Sequence, residues 1–178
     1  MGLLSYLRDK KTAHLSQSTV SGIGKEMHAD WAAMTEIQGD FYSALTMSKN
    51  IHGAGLTFRC KAKEVDRKII SLSISEKADK YYFELGKRYK IRLQFDNSIV
   101  IYAYMFAYKH RHASIEAITE EFIHNLFDSE NLKLQYLGDN KKKVTMKFSL
   151  KGSNSAINAT VVRAENHTDE PPVDFLSY

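Results

Sequence analysis

The stretch RYKIRLQFDNSIVIYAYMFAY, residues 88–108, decides the fold. Two runs rich in Tyr, Ile, Val and Phe flank Asp96-Asn97, a pair suited to a tight reversal, which predicts an antiparallel hairpin. With Asp96 and Asn97 as a two-residue turn, Leu93 faces Val100, Ile91 faces Tyr102 and Tyr89 faces Tyr104. That register gathers Tyr89, Ile91, Leu93, Phe95, Val100, Tyr102, Tyr104, Phe106 and Tyr108 on one side, the expected buried side. Arg88, Lys90, Arg92 and Gln94 fall on the other, with Ile99, Ile101 and Met105. Side chains alternate across a strand, so the turn length assigns each residue its face.

The same period of two extends in both directions. Upstream, a strand pattern begins at Phe41, Leu45 and Met47. Leu56, Phe58, Cys60 and Ala62 then alternate with Thr57, Arg59, Lys61 and Lys63, and Ile70, Leu72 and Ile74 alternate with Ser71, Ser73 and Ser75. Tyr81, Phe83 and Leu85 read as a further strand before Gly86-Lys87. Downstream, Leu132, Leu134 and Tyr136 pair with Val144, Met146, Phe148 and Leu150 around Gly138-Asp139-Asn140, with Lys133, Lys147 and Lys151 outward. Ile115, Ile118, Phe122, Ile123, Leu126 and Phe127 recur at helical spacing, so a helix is expected over about 114–128 with Ser114 as N-cap. Residues 153–164 read either way: Gly152-Ser153 opens a helix, while Thr160, Val161 and Val162 favour a strand. Met27, Trp31 and Met34 would share one side of a helix. The fold class is α+β, mainly an antiparallel β-sandwich or small barrel.

The chain has 178 residues, 43% hydrophobic and 26% charged, the balance of one globular domain with a sizeable core. A single cysteine, Cys60, excludes an internal disulfide and multi-cysteine metal sites. All 25 Lys and Arg precede residue 164, against 17 of the 21 Asp and Glu, so residues 1–163 carry +8 and the remainder −4. Both prolines, Pro171 and Pro172, lie in the acidic end. Three regions follow: an N-terminal amphipathic segment and linker over 1–24, a β-rich domain over 25–164, and an acidic tail over 165–178. In the tail, Phe175, Leu176 and Tyr178 are candidate anchors for a partner. At the other end, Leu3, Leu4 and Leu7 precede Arg8, Lys10 and Lys11. The run is too short for a signal peptide, but its composition suits contact with an anionic membrane surface.

Leu3-Leu4, Tyr6-Leu7 and Lys10-Lys11-Thr12-Ala13 resemble the membrane-targeting start of the bacterial cell-division topological specificity factor. A broader resemblance rests on Leu56-Thr57-Phe58-Arg59-Cys60, Arg92-Leu93-Gln94-Phe95-Asp96, Leu132-Lys133-Leu134, Phe148-Ser149-Leu150-Lys151-Gly152 and Ser155-Ala156-Ile157. Through these, residues 56–164 resemble the invasion-associated locus B family and related accessory proteins of type VI secretion. The resemblance implies a small β-sandwich or barrel with helical additions and brings no catalytic residues. The chain departs from exported members in having one cysteine rather than their pairs, and is expected to carry no signal peptide.

No catalytic, cofactor-binding or metal-ligating set emerges from the spacing. Glu120 and His124 share a helix face, but glutamate stands where a zinc-protease helix needs its first histidine. The basic residues Arg88, Lys90, Arg92, Lys109, His110, Arg111 and His112 form a candidate face for an anionic partner. The leading expectation is a non-enzymatic protein-interaction module, an accessory or inhibitory factor inside a bacterial cell. It would sit in the cytoplasm or peripherally at the inner membrane. A nucleic-acid binder using the basic sheet faces is the alternative, weakened because this register leaves few aromatic rings outward for base stacking. An enzyme with dispersed residues comes last.

Overall fold

The computed structural model describes residues 26–35, 41–96, 99–116 and 118–167. Among these residues ten strands build one antiparallel sheet: β1 (Glu26–His28), β2 (Trp31–Thr35), β3 (Phe41–Met47), β4 (Ala54–Lys61), β5 (Glu64–Ile74), β6 (Arg88–Phe95), β7 (Ile99–Lys109), β8 (His112–Glu116), β9 (Asn131–Leu137) and β10 (Lys143–Ser149). Their order across the sheet is β1-β2-β3-β4-β5-β8-β7-β6-β9-β10. Helix α1 (Glu120–Asp128) links β8 to β9, and α2 (Ser153–Glu165) follows β10. The fold is thus α+β and mostly antiparallel sheet, as expected. The sheet is not closed, but its far strands approach each other through a bridge between Ser48 and Phe148. Asn50 reinforces it, its Nδ2 donating to Thr145 O at 2.9 Å and its Oδ1 accepting from Lys147 N at 2.8 Å.

One face of the sheet and both helices enclose the core. Leu56, Phe58, Ile70, Leu72, Ile91, Leu93, Phe95, Leu134 and Phe148 are all buried, and Phe122, Ile123 and Leu126 of α1 and Ala156, Ile157 and Val161 of α2 pack with them. Burying alternate apolar residues is what makes these strands half-wet, half-dry ribbons. Cys60 is fully buried, and that burial pushes its thiol up to about 11, which suits a small core residue.

Four expectations are corrected, and a fifth reading left open by the sequence is resolved. First, β6 and β7 pair as Phe95↔Ile99, Leu93↔Ile101, Ile91↔Ala103 and Tyr89↔Met105, so three residues, 96–98, connect them rather than two. The slip turns β7 over: Ile101, Ala103, Met105 and Ala107 point inward, while Tyr102, Tyr104 and Tyr108 are exposed and Phe106 is half-buried. The cause is tertiary. Asp96 adopts a left-handed φ of 45°, and its carboxylate accepts from the backbone N–H groups of Glu130 (3.2 Å) and Asn131 (3.0 Å) at the start of β9.

Second, Met27, Trp31 and Met34 lie on strands, because Ala29 reverses the chain at a φ of 52° and Trp31 enters the sheet beside β3. Third, Ser114 and Ile115 belong to β8, paired with Ser71 and Met105. The helix starts later, where Thr119 accepts from Phe122 N at 3.1 Å. Fourth, Glu76–Tyr81 forms a 3₁₀ turn, and the buried Phe83 is held from a loop by its N–H bond to His110 O rather than by a strand ladder. Fifth, the ambiguity at 153–164 resolves as helix: Thr160 donates its hydroxyl to Ala156 O at 2.8 Å, a bond that satisfies the group inside the helix.

Candidate functional site

The outer face of β8, β7, β6, β9 and β10 carries the most distinctive chemistry of the described residues. The four adjoining strands β6, β7, β9 and β10 contain no Asp or Glu, whereas Arg88, Lys90, Arg92, Lys109, Lys133, Lys143 and Lys147 all lie on them. Alternation sends Arg88, Lys90 and Arg92 to the outer face, and the three-residue connection brings Tyr102 and Tyr104 to the same face. Tyr102 is 65% exposed and Tyr104 is 47% exposed. These are large rings to leave in water, since burying such a ring is worth more than most single contacts.

Cations and rings interleave. The Arg88 guanidinium lies 5.1 Å from the Tyr104 ring centre, and Lys90 Nζ lies 5.6 Å from that of Tyr102, both within cation–π range. Arg88 also pairs with Glu116 of β8 at 2.7 Å. Arg92 pairs with no carboxylate among the described residues; its Nη1 donates to Gln94 Oε1 (2.9 Å) and Gln135 Oε1 (3.0 Å). Gln135 in turn donates Nε2 to Thr145 Oγ1 of β10 at 3.0 Å. Beyond β9, Lys133 and Lys147 stand opposite each other and extend the positive charge to the sheet's edge.

The remaining members of the predicted basic face divide. His112 joins it from β8, its ring stacked on Tyr108 with centres 6.0 Å apart. Burial, then the charges of Lys109, Arg59 and Arg111, lowers the His112 imidazole from its ordinary value. Lys109 is exposed at the end of β7. His110 and Arg111 serve the neighbouring loop instead. Arg111 binds Glu76 at 2.8 Å and the Tyr82 hydroxyl at 2.8 Å, and His110 Nδ1 lies 3.1 Å from Phe83 O. Tyr102, Tyr104, Gln135 and Thr145 are the residues that sequence reasoning missed as site members. The one signal for the tyrosines was their hydroxyls, since both alternating sets of β7 are otherwise apolar.

Glu120 and His124 occupy the exposed side of α1, and among the described residues no three His, Cys, Asp or Glu gather closely enough to hold a metal ion. A separate groove of about 430 Å³ lies on β1–β3, lined by Met27, Met34, Leu45 and Met47 with Asp30 and Lys49. The candidate membrane contacts Leu3, Leu4 and Leu7 and the tail residues Phe175, Leu176 and Tyr178 lie outside the described residues. No helix among the described residues is long and apolar enough to cross a membrane.

No protein-family model matches the chain, and no curated protein matches it in sequence. Among solved structures, the crystal structure of invasion associated protein B from Bartonella henselae is similar. The two share 14% identity over 78% of this chain and 96% of that one, with a TM-score of 0.54. At that identity the likeness is a distant one of fold, in agreement with the resemblance of residues 56–164 and silent on function.

Proposed function

We propose that this protein binds single-stranded nucleic acid on the outer face of β6–β10. The observation that supports this reading is the juxtaposition of exposed Tyr102 and Tyr104 with Arg88 and Lys90 on strands free of carboxylates. Two residues apart on one strand, the tyrosines stand about 7 Å from each other, a spacing that suits consecutive bases of an extended strand. Each ring offers a π-face to any base, while the cations meet phosphates, so binding is tolerant of sequence and falls with salt. A base arriving on Tyr102 displaces Lys90 from the ring and leaves its ammonium for the backbone. The earlier objection, too few outward rings, depended on a register the molecule does not adopt.

Fluorescence anisotropy with a labelled oligothymidine tests the proposal. The full chain should bind it at low salt, with affinity falling steeply as salt rises. Tyr102→Ala and Tyr104→Ala should each weaken binding by about 5- to 100-fold, in line with base stacking on an aromatic ring. Lack of binding at low salt, or affinity indifferent to both changes, rejects the reading.

A protein-interaction module is the second reading, and the methionine-lined groove on β1–β3 favours it, because flexible, polarisable thioethers adapt to apolar partners. Met47→Glu distinguishes the two readings: it places a charge in this groove and leaves the oligonucleotide face untouched.

A further inference from the structure

The geometry points to Arg92 as a base-reading position that selects guanine over adenine in the bound strand. This rests on the nucleic-acid reading above and adds a preference to it. Arg92 sits at the centre of the face, opposite Tyr102 on one side and Gln135 on the other. Its Nη1 is occupied by two amide oxygens, those of Gln94 at 2.9 Å and Gln135 at 3.0 Å. Gln135 is itself buried to 7% exposure and is held by Thr145 Oγ1 at 3.0 Å. A relay across β6, β9 and β10 thus holds the guanidinium plane without neutralising it.

That arrangement is unlike those of the protein's structural arginines. Arg88, Arg111 and Arg163 each meet a carboxylate, of Glu116, Glu76 and Glu26. Arg92 meets no carboxylate among the described residues and retains Nη2 and Nε as a planar pair of donors. A planar donor pair matches two adjacent acceptors, which guanine presents as O6 and N7; in a single strand cytosine also presents O2 and N3 on its free Watson–Crick edge, whereas adenine presents no such pair. Adenine places an amino donor beside N7, which would meet the arginine donors head on. Tyr102 brings the base edge rather than the phosphate to this place: paired positions on adjacent strands lie about 5 Å apart, so a base stacked on its ring carries its edge to Arg92. Preorganisation by the two glutamines reduces the entropy lost when the contact forms.

The test uses labelled oligothymidine strands of about twelve nucleotides, with central positions replaced by guanine, 7-deazaguanine or adenine. The full chain should bind the guanine strand about 10-fold more tightly than the adenine strand, as expected for a bidentate contact. 7-Deazaguanine, which lacks N7, should lose most of that ratio. Arg92→Lys keeps a charge but not the fork, so the ratio measured within that variant should fall below about 2-fold. Gln135→Ala, which releases the guanidinium, should reduce the ratio in the same direction, and Gln94→Ala serves if that buried change fails to fold. Equal affinity for all strands in the unaltered protein overturns the inference while the nucleic-acid reading stands. An unchanged ratio in Arg92→Lys also overturns it. Lack of binding to every strand rejects both together.

Discussion

Gly152 precedes α2 at a φ of 86°, and a Cβ there would overlap the backbone carbonyl of His28 at the end of β1. Only glycine satisfies both conditions, because the left-handed region and the close approach each exclude a side chain. Gly152→Ala should therefore lower stability by about 1–2 kcal/mol from backbone strain alone, with the overlap adding to it. Chemical denaturation checks this; a loss no larger than the strain value would show that β1 moves aside freely, and an unchanged midpoint would reject the strain itself. At Asp139 the balance is electrostatic. Burial pushes this carboxyl up, but hydrogen bonds from Lys87 and Tyr89 and the Lys87 charge outweigh it and hold it below the usual carboxylate value. A depressed acid adds stability that is present above its unfolded pKa, about 3.9, and is lost as pH falls through the lower folded value. Asp139→Asn should thus be less stable than the unaltered protein at pH 7. Their melting temperatures should converge as the pH falls toward 2, and a gap that persists unchanged there would reject the linkage.

Among the elements, β7 carries the consequence with the widest reach. Its alternating sets, Ile101-Ala103-Met105-Ala107 and Tyr102-Tyr104-Phe106-Tyr108, are both apolar enough to face a core. Alternation alone could not choose between them, and the length of the connection from β6 did. Met105 is fully buried, so Met105→Ala should cost about 2–5 kcal/mol. Tyr102→Ala, at an exposed position with one cation–π contact, should cost about 1 kcal/mol or less. Denaturant midpoints of the two variants decide the register, and a larger loss at Tyr102 would restore the two-residue turn. The β9–β10 hairpin was legible because only one of its alternating sets is apolar: Leu132, Leu134, Tyr136, Val144, Met146 and Phe148 are all buried as expected.

In the whole molecule, contacts between distant segments tie the two ends of the sheet. Trp31 of β2 is fully buried, and its indole N–H donates to Ser149 O of β10 at 2.9 Å, across 118 residues of sequence. Trp31→Phe keeps a ring but removes the donor, and should cost about 1–3 kcal/mol, the penalty for a buried acceptor left without its partner. Thermal unfolding measures it, and an unchanged midpoint would show that the carbonyl finds another donor. The helix that ends at Glu165 is continued by a contact of His167 Nδ1 with the Tyr42 hydroxyl at 2.8 Å, so the packed part of the chain extends beyond the composition boundary at Arg163. Patterning over one to three strands was enough to determine an α+β protein dominated by antiparallel sheet, the buried Cys60 and the outward Arg88, Lys90 and Arg92, because each depends on neighbours two residues apart. The positions of Trp31, of the first turn of α1, and of Tyr102 and Tyr104 were decided by partners far along the chain. Asp96 shows why: its bonds to Glu130 and Asn131 add one residue to a turn, and in a strand one residue exchanges the wet face for the dry one.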